Sequence, residues 1–232
     1  MPAIATVANA GKPAPTEGLP SHEPQEHPKT MPTSSVRFFD TQFQRQVNSG
    51  EFDLNPFERL ALPYLGGEVL DLGCGLGNLA LEAARAGCRV TALDGSPTGI
   101  ARLRETAACL DLLVAAHEAD LAHWAGERDY DSIVAIGLLM FFPRARAEAL
   151  LADIVAHVRP GGVAALNVLT EGTTFLGMFE PGHYHLFAPG ALKAALPGWE
   201  VLAESVDRFP APGDTEKVFD TIIARRPRIA AV

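Results

Sequence analysis

Short apolar runs alternate with longer amphipathic stretches along most of the chain after residue 67. The short runs predict β-strands, and the stretches between them, with apolar residues three and four positions apart, predict helices. Strands that alternate with helices form a parallel sheet covered on both faces. The predicted strands lie near residues 68–72, 89–93, 112–117, 130–136, 162–169, 200–207 and 217–225, and the predicted helices near 76–86, 97–108, 143–157 and 189–196.

The last two predicted strands are separated by too few residues for a helix. They can therefore pair only as a hairpin, which makes the final strand antiparallel. Arg159-Pro-Gly-Gly162 predicts a turn before the fifth strand. The sequence therefore predicts a single α/β domain, Rossmann-like, with a seven-stranded and mostly parallel sheet whose last strand is antiparallel.

Residues 1–33 differ in composition from the rest, because proline recurs there and large apolar residues are few. Such a segment cannot bury enough apolar surface to offset the entropy of ordering it. We therefore expect residues 1–33 to be a disordered tail and residues 34–228 to form the folded domain.

Two helices are predicted before the first strand, one capped by Ser34-Ser35 and the other beginning at Asn55-Pro56. We expect them to lie over the mouth of a cofactor site. Their aromatic residues are expected mainly in the core, and the alternative is that Phe38 or Phe39 covers the substrate side. The apolar positions of these helices are Phe38, Phe39, Phe43, Val47, Phe57, Leu60, Ala61 and Tyr64.

A glycine-rich turn follows the first strand, where residues 68–77 read Glu-Val-Leu-Asp-Leu-Gly-Cys-Gly-Leu-Gly. Strand, glycine turn and helix together let backbone N–H groups approach a cofactor closely, because no Cβ stands in the way. The dinucleotide pattern G-x-G-x-x-G, counted from Gly73, would require a third glycine where this chain has Asn78. An NAD-dependent reductase is therefore disfavoured.

Two acids end the first two strands. Asp71 would sit badly beside a pyrophosphate, but it suits a ligand with a positive end, such as the sulfonium and ammonium of S-adenosylmethionine. Asp94 ends the second strand, where a ribose would lie. Ser96-Pro97 then reads as a helix start, with a capping serine and proline at the first helical position.

These features, in this order, resemble the class I S-adenosylmethionine-dependent methyltransferases. The resemblance implies S-adenosylmethionine as cofactor, with Asp71 near its methionine end, Asp94 on both ribose hydroxyls, and Asp120 with the Leu121 backbone on the adenine. It also implies that Gly137, after the fourth strand, lies under the methionine portion. The implied cofactor residues are Asp71, Gly73, Gly75, Gly77, Asp94, Gly95, Ser96, Asp120, Leu121 and Gly137.

Residues 36–228 further resemble the tellurite-resistance methyltransferases, through Arg159-Pro-Gly-Gly162, Phe187-Ala-Pro-Gly and the closing run Phe219–Arg225. That family is thought to methylate tellurium, selenium and related soft nucleophiles. The resemblance implies a small soft acceptor such as a thiol, hydrosulfide, selenide or tellurium species. Where the family has a His-Arg pair that holds an anionic substrate, this chain has Asp207-Arg208, and an acid would repel an oxyanion.

The candidate substrate residues follow the fifth strand, where open α/β sheets present ligands. His183 and His185 are candidate bases or orienting groups, Tyr184 is a candidate hydrogen-bonding wall, and Arg208 could steer an anionic acceptor. No metal is predicted, because His-x-His lacks two further ligands. A lid loop with solvated histidines is the other interpretation.

Two rival functions remain open. The first is an O- or N-methyltransferase of a small metabolite that uses His183 or His185 as its base. The second is a non-catalytic nucleotide-binding scaffold, which the acids Asp71, Asp94 and Asp120 argue against.

The composition of the chain limits the classes of substrate and partner that we expect it to bind. The net charge of −9 and the absence of a basic stripe disfavour a nucleic-acid substrate. The three cysteines have no C-x-x-C spacing, so we expect reduced thiols in a cytoplasmic protein. The longest apolar run is about half of the ~20 residues that a membrane span needs. A small-molecule substrate is therefore expected, and the oligomeric state is left open.

Overall fold

The structure is a computed structural model that describes residues 34–50 and 52–228, so the predicted tail lies outside the described residues. A seven-stranded sheet with the order β3-β2-β1-β4-β5-β7-β6 organises the domain. The strands are β1 Glu68–Leu72, β2 Arg89–Asp94, β3 Val114–Glu118, β4 Tyr130–Ile136, β5 Val158–Leu169, β6 Glu200–Ala211 and β7 Thr215–Arg225. The helices are α1 Ser34–Ser49, α2 Pro56–Ala61, α3 Asn78–Arg85, α4 Pro97–Cys109, α5 Arg144–His157 and α6 Ala191–Ala194. Two 3₁₀ turns lie at Leu62–Tyr64 and Leu139–Phe141.

The first five strands are parallel, and β7 inserts antiparallel between β5 and β6. The predicted α/β class, the seven strands and the reversed last strand are confirmed. Because the carboxyl ends of β1, β2 and β4 share one edge, the segments that follow these strands are brought together there.

The fifth strand begins earlier than predicted. β5 starts at Val158, which pairs with Tyr130, and the register with β4 shifts before Ser132. Arg226 donates its backbone N–H to the Gly162 carbonyl at 2.8 Å and accepts one from Gly161 at 2.9 Å. The predicted turn is therefore wrong, since Arg159–Gly162 is an irregular part of the strand whose backbone groups pair with the end of the chain.

Side chains alternate between the two faces of the sheet and form one apolar layer on each. Leu70, Ile133 and Leu166 belong to the layer that α5 and α6 cover. Val69 and Val134 belong to the opposite layer, under α3 and α4. Both faces are therefore buried, as expected for a parallel sheet, and the strand ends are left for ligands.

The two N-terminal helices only partly meet the expectation of a core position. Phe57 in α2 is buried, but Phe38 in α1 is 47% exposed and Val47 is 37% exposed. The expectation of a core position, which concerned the aromatic residues, is therefore wrong for Phe38. α1 packs through a narrow stripe, Val36 and Phe43, against backbone at the carboxyl edge of the sheet.

No helix in residues 34–50 or 52–228 is long and apolar enough to cross a bilayer.

Candidate functional site

The turn after β1 has the backbone geometry that its glycines predict. Gly73, Gly75 and Gly77 have φ angles of +72°, +55° and +75°, in the left-handed region that favours glycine. The N–H groups of Gly73 and Cys74 both donate to the Leu93 carbonyl, at 2.8 and 3.1 Å. The turn is thus folded back onto the end of β2.

Close packing gives these glycines a structural role as well. A Cβ on Gly99 would lie 2.3 Å from the Gly75 carbonyl oxygen, and one on Gly77 would lie 2.4 Å from the side chain of Leu103. Side chains at these positions would push α4 away from the turn. The start of α4 therefore lies directly against the loop that the sequence assigns to the cofactor.

The second acid, Asp94, is joined to the turn by hydrogen bonds. Its Oδ2 accepts from the Gly75 N–H at 2.8 Å, and its Oδ1 accepts from the Ser96 N–H at 2.7 Å. Burial raises the pKa of Asp94, while the bonds from Ser96 and Gly75 act in the opposite direction. Ser96 caps α4 as predicted, because its Oγ accepts from the Gly99 N–H at 3.0 Å.

Asp71 is a buried acid. The residue is 5% exposed, and its Oδ2 has no hydrogen-bond partner among the described residues. Burial, followed by the nearby carboxylates of Glu58 and Asp94, raises the pKa of Asp71 to about 8. A positively charged ligand would relieve all three effects, so this position fits the cationic end of S-adenosylmethionine and disfavours a phosphate.

The helix α1 lies over this turn, as the sequence leads us to expect. Asp40 accepts hydrogen bonds from the Ser96 hydroxyl and from the Thr98 N–H, which fastens α1 to the start of α4. The Phe43 ring would lie 3.0 Å from a Cβ on Gly75, and Val36 would lie equally close to one on Gly95. Sequence reasoning missed Asp40, although an acid on the same helix face as Phe43 could have signalled it.

The predicted adenine residues lie in the loop after β3. Asp120 accepts from the Ala122 N–H at 3.0 Å, and its other oxygen lies 2.9 Å from Nδ1 of His123. Leu121 is buried, and its carbonyl accepts from Arg146 at 2.8 Å. The loop therefore shares an edge with the glycine turn, and the adenine role of both residues stays a prediction.

Gly137 directly follows β4 and contacts a polar residue that sequence reasoning missed. Its φ is +67°, its N–H donates to the Asn167 carbonyl at 3.1 Å, and a Cβ there would meet no described atom within 4 Å. Asn167 is fully buried and donates to Thr221 at 2.8 Å, while its Oδ1 has no partner in the described ranges. Gly137 therefore has room for a ligand above it, and its predicted role stays a prediction.

The two candidate histidines are not brought together. His183 is exposed, and its ring lies 3.3 Å from the Pro181 carbonyl. His185 donates its backbone N–H to Met140 and lines a separate cavity of about 520 Å³ with Arg144 and Glu148. Burial and the charge of Arg144 lower the pKa of His185. These positions do not favour a histidine pair that acts together on one substrate.

The other two candidates differ in their surroundings. Tyr184 stacks on Phe179 with ring centroids 4.6 Å apart. Arg208, on the edge strand β6, is exposed and forms an ion pair with Glu216 at 2.6 Å, while Asp207 accepts from the Ser205 hydroxyl at 2.7 Å. Tyr184 is thus part of an aromatic contact, and Arg208 already has an anionic partner. Within the described parts of the chain, no cluster of histidine, cysteine and acidic side chains could hold a metal ion.

Comparison with known proteins agrees with this geometry. Residues 69–162 match the methyltransferase-domain family. The chain is 31% identical over 135 residues to the probable S-adenosyl-L-methionine-dependent methyltransferase TehB of Haemophilus influenzae, covering 58% of this chain and 46% of TehB. The crystal structure of that TehB superposes with a TM-score of 0.65 at 24% identity, over 81% of this chain and 67% of the other.

Two further relatives each match less than half of this chain. One is the cypemycin N-terminal methyltransferase of a Streptomyces species, 36% identical over 107 residues, which are 45% of this chain and 43% of that protein. The other is named hemagglutinin 1, from Eikenella corrodens, and is 40% identical over 95 residues, 41% of this chain and 32% of that protein. The chain thus spans less than half the length of these curated relatives.

The glycine turn, the two strand-end acids and the sheet order define a class of protein. Residues 69–162 match a methyltransferase domain, and the fold is that of the class I S-adenosylmethionine-dependent methyltransferases, so the predicted resemblance is confirmed at the level of the domain match and the fold.

Proposed function

We propose that this protein transfers a methyl group from S-adenosylmethionine to a small soft nucleophile, such as a thiol, hydrosulfide, selenide or tellurium species. The observation that carries the proposal is the buried carboxyl group of Asp71 near the end of β1, whose Oδ2 has no hydrogen-bond partner among the described residues. A cationic ligand would supply that partner. The neighbouring turn and Asp94 offer backbone N–H groups and a carboxylate to the rest of that ligand.

When bound, S-adenosylmethionine supplies a methyl group on a positively charged sulfur, a good leaving group. The chain's own task is then to align donor and acceptor, and effective molarity contributes about 7–11 kcal/mol to such reactions. The carboxylate of Asp94, fixed by the N–H groups of Gly75 and Ser96, would hold the ribose in one place. Covered by α1, the site would also exclude water during transfer.

The soft acceptor is supported by the absence of a well-placed base in the described residues. His183 is exposed, and His185 faces its own cavity. A thiol or selenol needs no strong base, because its anion is already partly populated near neutral pH. The similarity to TehB over 135 residues supports S-adenosylmethionine as the methyl donor. The expected cytoplasmic location rests on the unpaired cysteines.

The second candidate function is methylation of nitrogen or oxygen in a small metabolite. His185 favours it, since this histidine lines a cavity of about 520 Å³ and its lowered pKa leaves it neutral and able to accept a proton. The similarity to an N-terminal methyltransferase over 107 residues points the same way.

The test is S-adenosylhomocysteine release by purified protein with a panel of acceptors: hydrosulfide, methanethiol, selenite with reductant, tellurite, a catechol and a small amine. Turnover confined to sulfur, selenium and tellurium acceptors supports the proposal. Turnover only with the catechol or amine replaces it with the second candidate. Tight cofactor binding without any turnover favours the hypothesis of a non-catalytic nucleotide-binding scaffold.

A further inference from the structure

Four aromatic side chains from three separate segments form a continuous contact at the carboxyl edge of the sheet. Phe39 meets Phe141 edge to face with ring centroids 5.0 Å apart, and Phe141 lies 5.0 Å from Phe179. Phe179 stacks on Tyr184 at 4.6 Å with an interplanar angle of 15°. We refer to Phe39, Phe141, Phe179 and Tyr184 as the aromatic row.

The row begins at the cofactor turn. Phe39 lies 6.0 Å from Phe43, and the ring of Phe43 packs on Gly75. Phe141 closes the 3₁₀ turn that follows β4 and Gly137. Phe179 and Tyr184 belong to the loop after β5. The row therefore runs from the residues assigned to the methyl donor to the side of the sheet where an acceptor would enter.

The members of the row are not core residues. All four are partly exposed, whereas Phe57 and Phe187, which do belong to the core, are 9% and 2% exposed. Rings that keep an accessible face beside a ligand site offer apolar contact to a ligand, because burying that face is favourable.

The charges around the row do not suit an oxyanion. Asp40, Asp71 and Asp94 lie at its cofactor end. The guanidinium of Arg208 is held by Glu216, and the Lys217 ammonium lies 5.0 Å from the centroid of Phe175, outside the row. The carboxylates at the cofactor end of the row would repel an anion that enters along it.

We propose that the aromatic row is the wall of the acceptor site and selects an uncharged, apolar organic thiol or selenol over inorganic oxyanions. This inference rests on the proposed function and names its substrate class. The acceptor first loses its proton to the buffer. The resulting thiolate lone pair forms a bond to the methyl carbon while the carbon–sulfur bond of the donor breaks, and that electron pair neutralises the sulfonium. The products are a thioether and S-adenosylhomocysteine.

The first test is the dependence of kcat/KM on acceptor size for hydrosulfide, ethanethiol, butanethiol and benzyl mercaptan, with tellurite as the oxyanion. A buried methylene is worth about 0.8 kcal/mol, which corresponds to roughly fourfold in kcat/KM per added carbon. With kcat/KM expressed per concentration of ionised acceptor, the inference therefore predicts a steady rise from hydrosulfide to butanethiol, a high value for benzyl mercaptan, and little turnover of tellurite.

The second test uses variants of the row. Phe141→Ala and Phe179→Ala are expected to lower the ratio of kcat/KM for benzyl mercaptan to that for hydrosulfide at least tenfold, with most of the change in KM. Phe141→Leu, which keeps an apolar side chain, should retain part of the ratio. Phe175→Ala is the matched control, because Phe175 belongs to the same loop but lies outside the row. Binding of S-adenosylhomocysteine by each variant shows that the domain has folded.

Three results would overturn the inference. Equal kcat/KM for hydrosulfide and benzyl mercaptan would leave the proposed function intact and remove the apolar wall. A preference for tellurite, lost in Lys217→Met, would move acceptor recognition to Lys217. Cofactor binding without turnover of any sulfur, selenium or tellurium acceptor would overturn both the inference and the proposed function.

Discussion

Asp94 accepts a hydrogen bond from the backbone N–H of Gly75 at 2.8 Å, so the acid that ends β2 holds the glycine turn that follows β1. The bond links two parts of the proposed cofactor site that are 19 residues apart in the sequence. A ribose bound by Asp94 would therefore lie at a fixed distance from the turn. The carboxylate of Asp94 also acts on its buried neighbour Asp71, whose pKa it helps to raise.

Replacement of Asp94 by alanine should weaken S-adenosylmethionine binding about 10- to 100-fold. Hydrogen bonds to a charged group are worth about 1.5–3 kcal/mol, and this substitution also frees the N–H groups of Gly75 and Ser96. Calorimetric titration measures the affinity, and a thermal melt checks the fold. The affinity of Asp94→Asn, which keeps one acceptor oxygen, should fall between those of the wild type and Asp94→Ala. An unchanged affinity for Asp94→Ala would remove Asp94 from the cofactor site.

The ligand-free protein should lose stability as the pH rises toward 8 because of Asp71. The folded pKa is about 8 against an ordinary value of 3.8, so the folded state keeps a proton that the unfolded state has lost. Linkage then lowers the free energy of unfolding with rising pH, by up to about 1.4 kcal/mol per unit between these two values.

Urea denaturation of wild type and Asp71→Asn across this range isolates the effect. The raised pKa values of Asp94 and Glu58 act in the same direction, whereas the lowered pKa values of His117 and His185 act oppositely below neutrality. These groups are present in both proteins, so the difference between the two curves reports Asp71. Parallel curves would show that Asp71 is already ionised in the folded state.

Binding of S-adenosylmethionine at neutral pH should release a proton. A cation beside Asp71 favours its carboxylate form, so the pKa falls from about 8 and up to about one proton leaves. Calorimetry in buffers with different ionisation enthalpies measures this number, and affinity should rise with pH until Asp71 is ionised. Identical heats in all buffers would show that no group titrates on binding. Asp71→Asn serves as the control that abolishes the effect.

Replacing His183 and His185 together should leave thiol methylation within about twofold of wild type, since a soft nucleophile needs no strong base. The two rings face different surroundings, so no shared role is lost. Steady-state rates with a thiol and with a catechol make the comparison. A loss of at least tenfold with the thiol would return a general base to the mechanism.

Local signals predicted most of the fold. Asp71, Gly73, Gly75, Gly77 and Asp94 could be proposed as cofactor residues because strand, turn and helix follow one another directly in the chain. The capping role of Ser96 could be predicted for the same reason, since its partner Gly99 lies within the same helix turn.

The features that sequence reasoning missed depend on distant partners. Asp40 meets Ser96 across 56 residues, and the helix face that Asp40 shares with Phe43 does not show which distant residue it contacts. The early start of β5 depends on pairing with Arg226, far along the chain. The exposure of Phe38 has a similar cause, because helical periodicity shows an apolar face but not how wide a surface is available to cover it.

The most direct measurement of the central claim is the amount of methylated product and of S-adenosylhomocysteine formed from butanethiol by purified protein. The account predicts that both accumulate in equal amounts with repeated turnover, and that Asp94→Ala loses both together at cofactor concentrations that saturate only the wild type. Cofactor binding with neither product formed from any sulfur, selenium or tellurium acceptor would contradict it.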